Sequence, residues 1–189
     1  MYEKKDFTHL LGVEGFSDEL LQDHFKLYEG YVANTNKFIE KLSLVEAGTP
    51  EYAEMKRRFG WEWDGMRMHE LYFGNLSKDV QSLDKDSDLH KKITEQFGSF
   101  EKWVEDFKAT GAIRGIGWVI LVQDSETGKL FNVWINEHDA GHLASTKPLI
   151  VMDVFEHAYI RDYGLVRADY ISSFMKQVNW GEVRNRFVA

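Results

Sequence analysis

Cysteine is absent from this 189-residue chain, which removes disulfides, thiolate zinc sites, iron–sulfur ligation and cysteine nucleophiles together. Any metal ion must therefore be held by His, Asp or Glu. Proline occurs only twice, and no stretch approaches the roughly 20 consecutive apolar residues of a membrane span. Cations are in deficit as well: 23 Lys and Arg stand against 31 Asp and Glu, for a formal charge of −8. Nucleic-acid binding by counterion release needs clustered Lys and Arg, and no basic stripe is present, so neither nucleic acid nor membrane is an expected partner. The expected location is the cytoplasm. At 43% hydrophobic and 29% charged residues, the chain has the profile of a folded globular protein, long enough for one compact domain or two small lobes sharing a core.

Helix signals dominate the first part. Ser17 is a good N-cap, Asp18 and Glu19 follow in the first turn, and Leu20, Leu21, Leu27, Tyr28, Tyr31, Val32 and Phe38 return at helical spacing, predicting a helix from Ser17 to about Glu46. Gly48-Thr49-Pro50 reads as stop, cap and first helical position of a second, antiparallel helix, with Gly60 expected to interrupt it. The polar segment from Ser77 to Ser87 is the expected connection between lobes, and two shorter helices follow, capped near Ser87 and Ser99. Trp118 to Gln123 and Leu130 to Ile135 are rich in β-formers and flank the turn residues Asp124 to Gly128, a hairpin. Leu149 to Met152 reads as a buried strand, Phe155 onward as helix, and Asp169 to Arg186 as an amphipathic helical stretch.

The most informative segment is Asp153-Val154-Phe155-Glu156-His157. An acid and an imidazole four residues apart face one ion if a helix begins here, although the pair alone recurs by chance on solvated helices. A buried strand leads directly into it, so a charged Asp153 needs a strong partner, and a metal ion would be one.

Extended to Ala158 and Tyr159, the segment resembles the iron/manganese superoxide dismutase signature Asp-Val-Trp-Glu-His-Ala-Tyr. Gly115-Ile116-Gly117-Trp118 is similar to that family's Gly-x-Gly-Trp, Asn179-Trp180 to its Asn-Trp near the C-terminus, and Met68-His69-Glu70-Leu71-Tyr72-Phe73 to its second helix, which carries a ligand His. The resemblance implies an α+β fold: an N-terminal helical hairpin lobe (1–80) and a C-terminal lobe (81–189) with a three-stranded antiparallel sheet and helices, the metal between them. It implies one Fe or Mn ion per chain and Asp153, His157 and His69 as ligands.

The first helix departs from the family's His-x-x-x-His-His-x-x-Tyr, reading His24-Phe25-Lys26-Leu27-Tyr28-Glu29-Gly30-Tyr31, one residue shorter. His24 is the preferred fourth ligand, because seven residues to Tyr31 are close to two helical turns. Asp23, at the family's spacing of eight, is the alternative and would give two carboxylates. Tyr31 matches the family's gateway tyrosine, but the neighbouring histidine gate is replaced by Leu27 and Tyr28. His138 is the candidate for the outer-sphere residue facing metal-bound solvent, with His142 as competitor. Trp118 inherits a place near the site, Phe155 stands for the usual Trp, Ile120 replaces a second Trp, and Arg167 is the candidate for positive potential at the mouth. Trp61, Trp63 and Trp103 read as core, and His9 and His90 as solvated surface.

The implied activity is dismutation of superoxide to dioxygen and hydrogen peroxide, by an oxidoreductase that pairs through Glu156-His157-Ala158-Tyr159 as a homodimer or larger assembly. A non-catalytic metal-binding or structural member of the same fold is the first rival. A helical iron-storing carboxylate protein is the second, and it lacks the paired Glu-x-x-His motifs that such sites need. Iron and manganese accept the same ligands, so the choice between them stays open.

Overall fold

The computed structural model describes residues 1–188. Helix α1 (Asp18–Leu42) starts where Ser17 accepts a hydrogen bond from the Leu20 amide. It stops a turn before the expected Glu46, because the amides of Ser43, Leu44 and Val45 fold back onto the carbonyls of Glu40 and Lys41. Thr49 caps helix α2 (Pro50–Gly74). The expected break at Gly60 does not occur. One interior glycine costs about 1 kcal/mol of helix propensity, and packing of Met66, Met68, Tyr72 and Phe73, none more than 3% exposed, outweighs that. The two helices run antiparallel, with contacts descending from His24 against Phe73 through Tyr28 against Glu70 to Asn34 against Glu62.

After the 77–87 connection, Ser87 and Ser99 cap α3 (Asp88–Phe97) and α4 (Phe100–Gly111), both where the sequence signals place them. The sheet is antiparallel in the order β2 (Leu130–Ile135), β1 (Trp118–Asp124), β3 (Thr146–Asp153). Its register sets Trp118 opposite both Ile135 and Asp153. Gly117, just before β1, has φ of +129°, and a Cβ there would lie 1.8 Å from the Ile135 carbonyl oxygen, so only glycine lets the chain enter the sheet at this register. The architecture is α+β, helices first and then a three-stranded antiparallel sheet with further helices.

Two expectations for the C-terminal part need correction. Phe155 does not begin an α-helix: a 3-10 turn at Glu156–Ala158 follows β3, and only then the short α5 (Ile160–Tyr163). Nor is Asp169 to Arg186 one helix, since α6 (Arg167–Lys176) and α7 (Trp180–Arg186) are separated by an extended step. There Val178 bridges Leu76, the Ser77 amide donates to the Gln177 carbonyl at 3.0 Å, and the Asn179 amide donates to the Asn75 carbonyl at 2.7 Å. Backbone pairing with a distant segment overrides the local helical period.

Asn75 is the polar pin of this junction. Fully buried at the end of α2, it accepts from the Val151 amide at 2.8 Å and donates to the Leu149 carbonyl at 3.3 Å, fastening the edge strand β3 to the helical hairpin. Asn75→Ala would strand the Val151 N–H without solvent or partner, and a buried unsatisfied donor costs about 1–3 kcal/mol beyond the lost packing. The variant should lose about 2–4 kcal/mol in urea denaturation, and a loss under 1 kcal/mol would show that Arg186, which also reaches Leu149, carries the junction instead.

Candidate metal centre

Four side chains from separate elements meet at one point. Helix α1 presents His24, α2 presents His69, the last residue of β3 is Asp153, and the 3-10 turn brings round His157. One ligand atom of each lies within 4.8 Å of the others. Asp153 Oδ2 is the focus, 3.1 Å from His157 Nε2, 3.3 Å from His24 Nε2 and 3.7 Å from His69 Nε2. The Asp–His pair thus converges through a strand end and a tight turn, rather than through the α-helical spacing that first drew attention to it.

The buried polar atoms test whether a cation fits. The Nε2 atoms of His24 and His69 are buried and have no hydrogen-bond partner, which a folded protein rarely tolerates. His69 Nδ1 lies 2.5 Å from the Gly65 carbonyl oxygen. A carbonyl only accepts, so Nδ1 carries the proton and Nε2 offers its lone pair to the cluster. Burial pushes the His24 and His69 imidazoles below their ordinary range, in the case of His69 well below it, so both are neutral. Burial works to raise the Asp153 carboxyl, but the charge of His157 and its hydrogen bond outweigh that, and the group stays ionised. Three imidazoles around one anionic oxygen, the buried His24 and His69 neutral among them, suit a divalent or trivalent Fe or Mn ion.

Position 23 faces the other way. Asp23 is exposed and accepts from Arg161 at 2.5 Å, on the outer side of α1, whereas His24 is 2% exposed and faces Asp153. The same region locks α1 to α5, since both the Ser17 amide and hydroxyl donate to the Asp162 carboxylate at 2.7 Å.

A second group of residues adjoins the cluster. Tyr31 stacks on His69 with ring centroids 5.1 Å apart, and its hydroxyl lies 2.7 Å from His138 Nε2. Trp118 donates its indole N–H to His138 Nδ1 at 3.0 Å. An indole N–H can only donate, so a neutral His138 carries its proton on Nε2 and donates it to the Tyr31 oxygen. Tyr31 therefore keeps its own hydroxyl proton free for another acceptor. Its phenol is raised, first by burial and then by the charge of Asp153. Gly65 makes the Tyr31 position possible, because a Cβ there would lie 2.5 Å from the tyrosine ring.

The remaining predicted residues are placed as follows. His142 donates Nε2–H to the His138 carbonyl at 2.7 Å and does not replace it. Phe155 stacks on His157 and tilts against His138 at 4.9 Å, whereas Ile120 lies further along β1 with Met68, Leu71 and Val133 around a separate cavity. Tyr28 turns away to Glu70 and the Lys5 amide. The Arg167 guanidinium donates to the carbonyls of Gly115 and Ile113, bracing the segment that leads to Trp118, and reaches no ligand. Tyr159 is buried against Tyr170, whose hydroxyl donates to the Asp153 carbonyl at 2.5 Å, and Glu156 is exposed. His9 is exposed, but His90 is half-buried and stacked on Phe100 at 5.3 Å, so reading it as solvated surface is corrected.

Trp61 also needs correction, since it is not merely core. Its ring stands 4.5 Å from His138 and 5.4 Å from Tyr31, with the Arg58 guanidinium 3.7 Å above it and its N–H on Glu137. Arg58 is held by the buried Glu62 at 3.1 Å. The signal was present in the spacing: Glu62 and His69 are seven apart on α2 and so share a face, which marks Glu62 as a carboxylate aimed inward.

Residues 85–186 match the family model described as iron/manganese superoxide dismutases, C-terminal domain. The chain is 36% identical over 194 aligned positions to the superoxide dismutase [Fe] of Aquifex aeolicus, spanning 98% of this chain and 90% of that protein. It is 34% identical to the superoxide dismutase [Mn] 2 of Haloferax volcanii, spanning 90% and 86%. It is also 34% identical to the superoxide dismutase [Fe] of Cupriavidus metallidurans, spanning 93% and 90%.

The site's histidines should make the metal-free protein acid-sensitive. Burial pushes His138 from 6.5 down to about 4 and lowers His24 and His69 too. The unfolded chain then binds more protons than the folded one below about pH 6.5, so stability falls as pH falls, by up to about 1.4 kcal/mol per pH unit for each such group. Asp153 adds a loss of the same sign below its unfolded value near 3.8. Urea midpoints of metal-free protein should drop between pH 7 and pH 5, and a flat profile would mean that these imidazoles are not buried neutral.

Proposed function

The chain belongs to the iron/manganese superoxide dismutase family and dismutates superoxide, and from that premise we propose that the reaction takes place at one Fe or Mn ion held by His24, His69, Asp153 and His157. The observation that carries this reading is the convergence of three imidazole Nε2 atoms on Asp153 Oδ2, two of them buried without a partner. When bound, the ion supplies one-electron chemistry by which one superoxide is oxidised to dioxygen and a second, with two protons, is reduced to hydrogen peroxide.

The protein's own part is proton supply and exclusion of water. In this proposal Tyr31 holds a proton beside the cluster, His138 fixes the tyrosine oxygen by donating to it, and Trp118 fixes the tautomer of His138. Trp61 and Phe155 close the aromatic wall around His138. Arg58, over Trp61, takes the place proposed from the sequence for Arg167 as the cation nearest the Tyr31–His138 pair; its pairing with Glu62 makes that charge a local one.

The finer assignments are proposals of the same kind. The division into a helical lobe (1–80) and an α/β lobe (81–189) is supported by the 77–87 connection. No helix among the described residues is long and apolar enough to cross a membrane; a cytoplasmic location is carried forward from the sequence, and cell fractionation tests it. A homodimer, or a larger assembly built from it, pairs through the exposed Glu156, beside the half-buried His157 and the buried Tyr159.

Purified protein should carry about one Fe or Mn per chain and, reconstituted with each metal separately, dismutate superoxide. If neither loaded form exceeds free metal, catalysis fails and the non-catalytic rival takes its place. His24→Ala should abolish most metal retention and activity. Asp23→Asn loses only an exposed ion pair, about 0–1 kcal/mol of stability, and should leave metal and turnover unchanged; the reverse pattern would assign the ligand to Asp23.

Glu156→Ala should shift sedimentation toward monomer and weaken metal retention by about 10–100-fold, the range for losing a hydrogen bond onto a ligand histidine. A fully active monomeric wild type would rule out this pairing.

A further inference from the structure

On the face formed by α3, α4, α6 and α7 where the 77–87 connection crosses them, a cavity of about 310 Å³ shares no residue with the metal cluster or with the Tyr31–His138 pair. Its floor is apolar, made by Leu83, Phe100, Val104, Met175 and Trp180. Three lysines, Lys85, Lys108 and Lys176, also line it. We propose that this cavity binds a small amphiphilic carboxylate, its acyl chain on the apolar floor and its carboxylate among the lysines.

The charge pattern selects that chemistry. Among the described residues, none of the three ammonium groups lies within 4.0 Å of a carboxylate, although Lys4, Lys5 and five arginines are paired elsewhere. The lining therefore sets three ammonium groups against one carboxylate, an excess of positive charge on a chain whose formal charge is −8. Glu101 is the single carboxylate in the lining; it is held chiefly by its own backbone and Ser99 at the start of its helix, with Lys85 and His90 acting on it more weakly, so Lys108 and Lys176 face no carboxylate of the lining that is not already engaged. An apolar cation would meet repulsion here, and an uncharged chain would leave the lysines unused. The volume sits at the lower end of the range for small-molecule sites, about 300–1,000 Å³, which suits a chain of about ten carbons better than a larger ligand. His90, stacked on Phe100 at 5.3 Å, forms part of the same wall, which accounts for its partial burial.

Decanoate is the probe, titrated into the metal-loaded protein below its micelle concentration by calorimetry, with tryptophan fluorescence as the second readout. Saturable binding of one decanoate per chain is expected, with decanol, decyltrimethylammonium and acetate each weaker by about tenfold or more. The triple variant Lys85→Ala, Lys108→Ala, Lys176→Ala should weaken decanoate by about tenfold or more at an unchanged thermal midpoint. Val104→Trp, which fills the floor, should abolish binding. Decanol binding as tightly as decanoate, or an undiminished triple variant, would overturn the proposal. So would decanoate binding that appears only after the assembly is dissociated, because the face would then be covered by a second copy of the chain.

Discussion

A carboxylate charge with no access to water governs this molecule. Asp153 is fully buried at the end of the edge strand and stays ionised, a state that costs several kcal/mol unless partners surround it. Everything close to it answers that cost. Two long helices each bring an imidazole, the turn after the strand brings another, the Phe155 amide donates to the second oxygen at 2.8 Å, and Tyr170 takes the backbone carbonyl. The residues doing this are far apart in sequence, so the same interaction that positions the site also joins the helical hairpin to the sheet.

The surroundings are aromatic for a related reason. Tyr72 and Phe73 pack on His24 at 5.1 and 5.0 Å, and Trp118 meets His69 edge-on at 5.0 Å. Rings at these distances keep water out while offering few hydrogen bonds, so the imidazole nitrogens have nowhere to turn except inward. Polar groups adjoin the cluster at Tyr31, His138 and the Arg58–Trp61–Glu137 group, and at the partly exposed His157. In a low-dielectric wall with few polar breaks, each hydrogen bond in a break counts for more than it would at the surface.

Much of this was legible in the sequence because it is local. The caps at Ser17, Thr49, Ser87 and Ser99, the hairpin around Asp124 to Gly128, and the Asp153–His157 segment all declare themselves within a few residues. The preference for His24 over Asp23 followed from helical periodicity, and the structure turns the two side chains in opposite directions. What was illegible is non-local. Whether Trp61 fills a core or leans on His138 depends on a loop some seventy residues away; whether 177–179 stays helical depends on the backbone of residues 75–77; and Gly60 is absorbed by packing further along α2. Arg167 was assigned to the site mouth by alignment with a family arginine, and its direction is set instead by the free carbonyls of Ile113 and Gly115.

A chain without cysteine has no covalent means of tying residue 24 to residue 157. An ion grasped at both ends of that span would act as a cross-link, and such a link stabilises chiefly by restricting the unfolded chain, more so when the loop it closes is long. Three of the four side chains, His24, His69 and Asp153, are at 2% exposure or less, so an ion held there would fasten the helical hairpin to the sheet from within, while the partly exposed His157 marks the side on which the cluster meets solvent. Loading would then do what a disulfide does in other chains, and the metal-bound protein would differ from the metal-free one in stability as well as in chemistry.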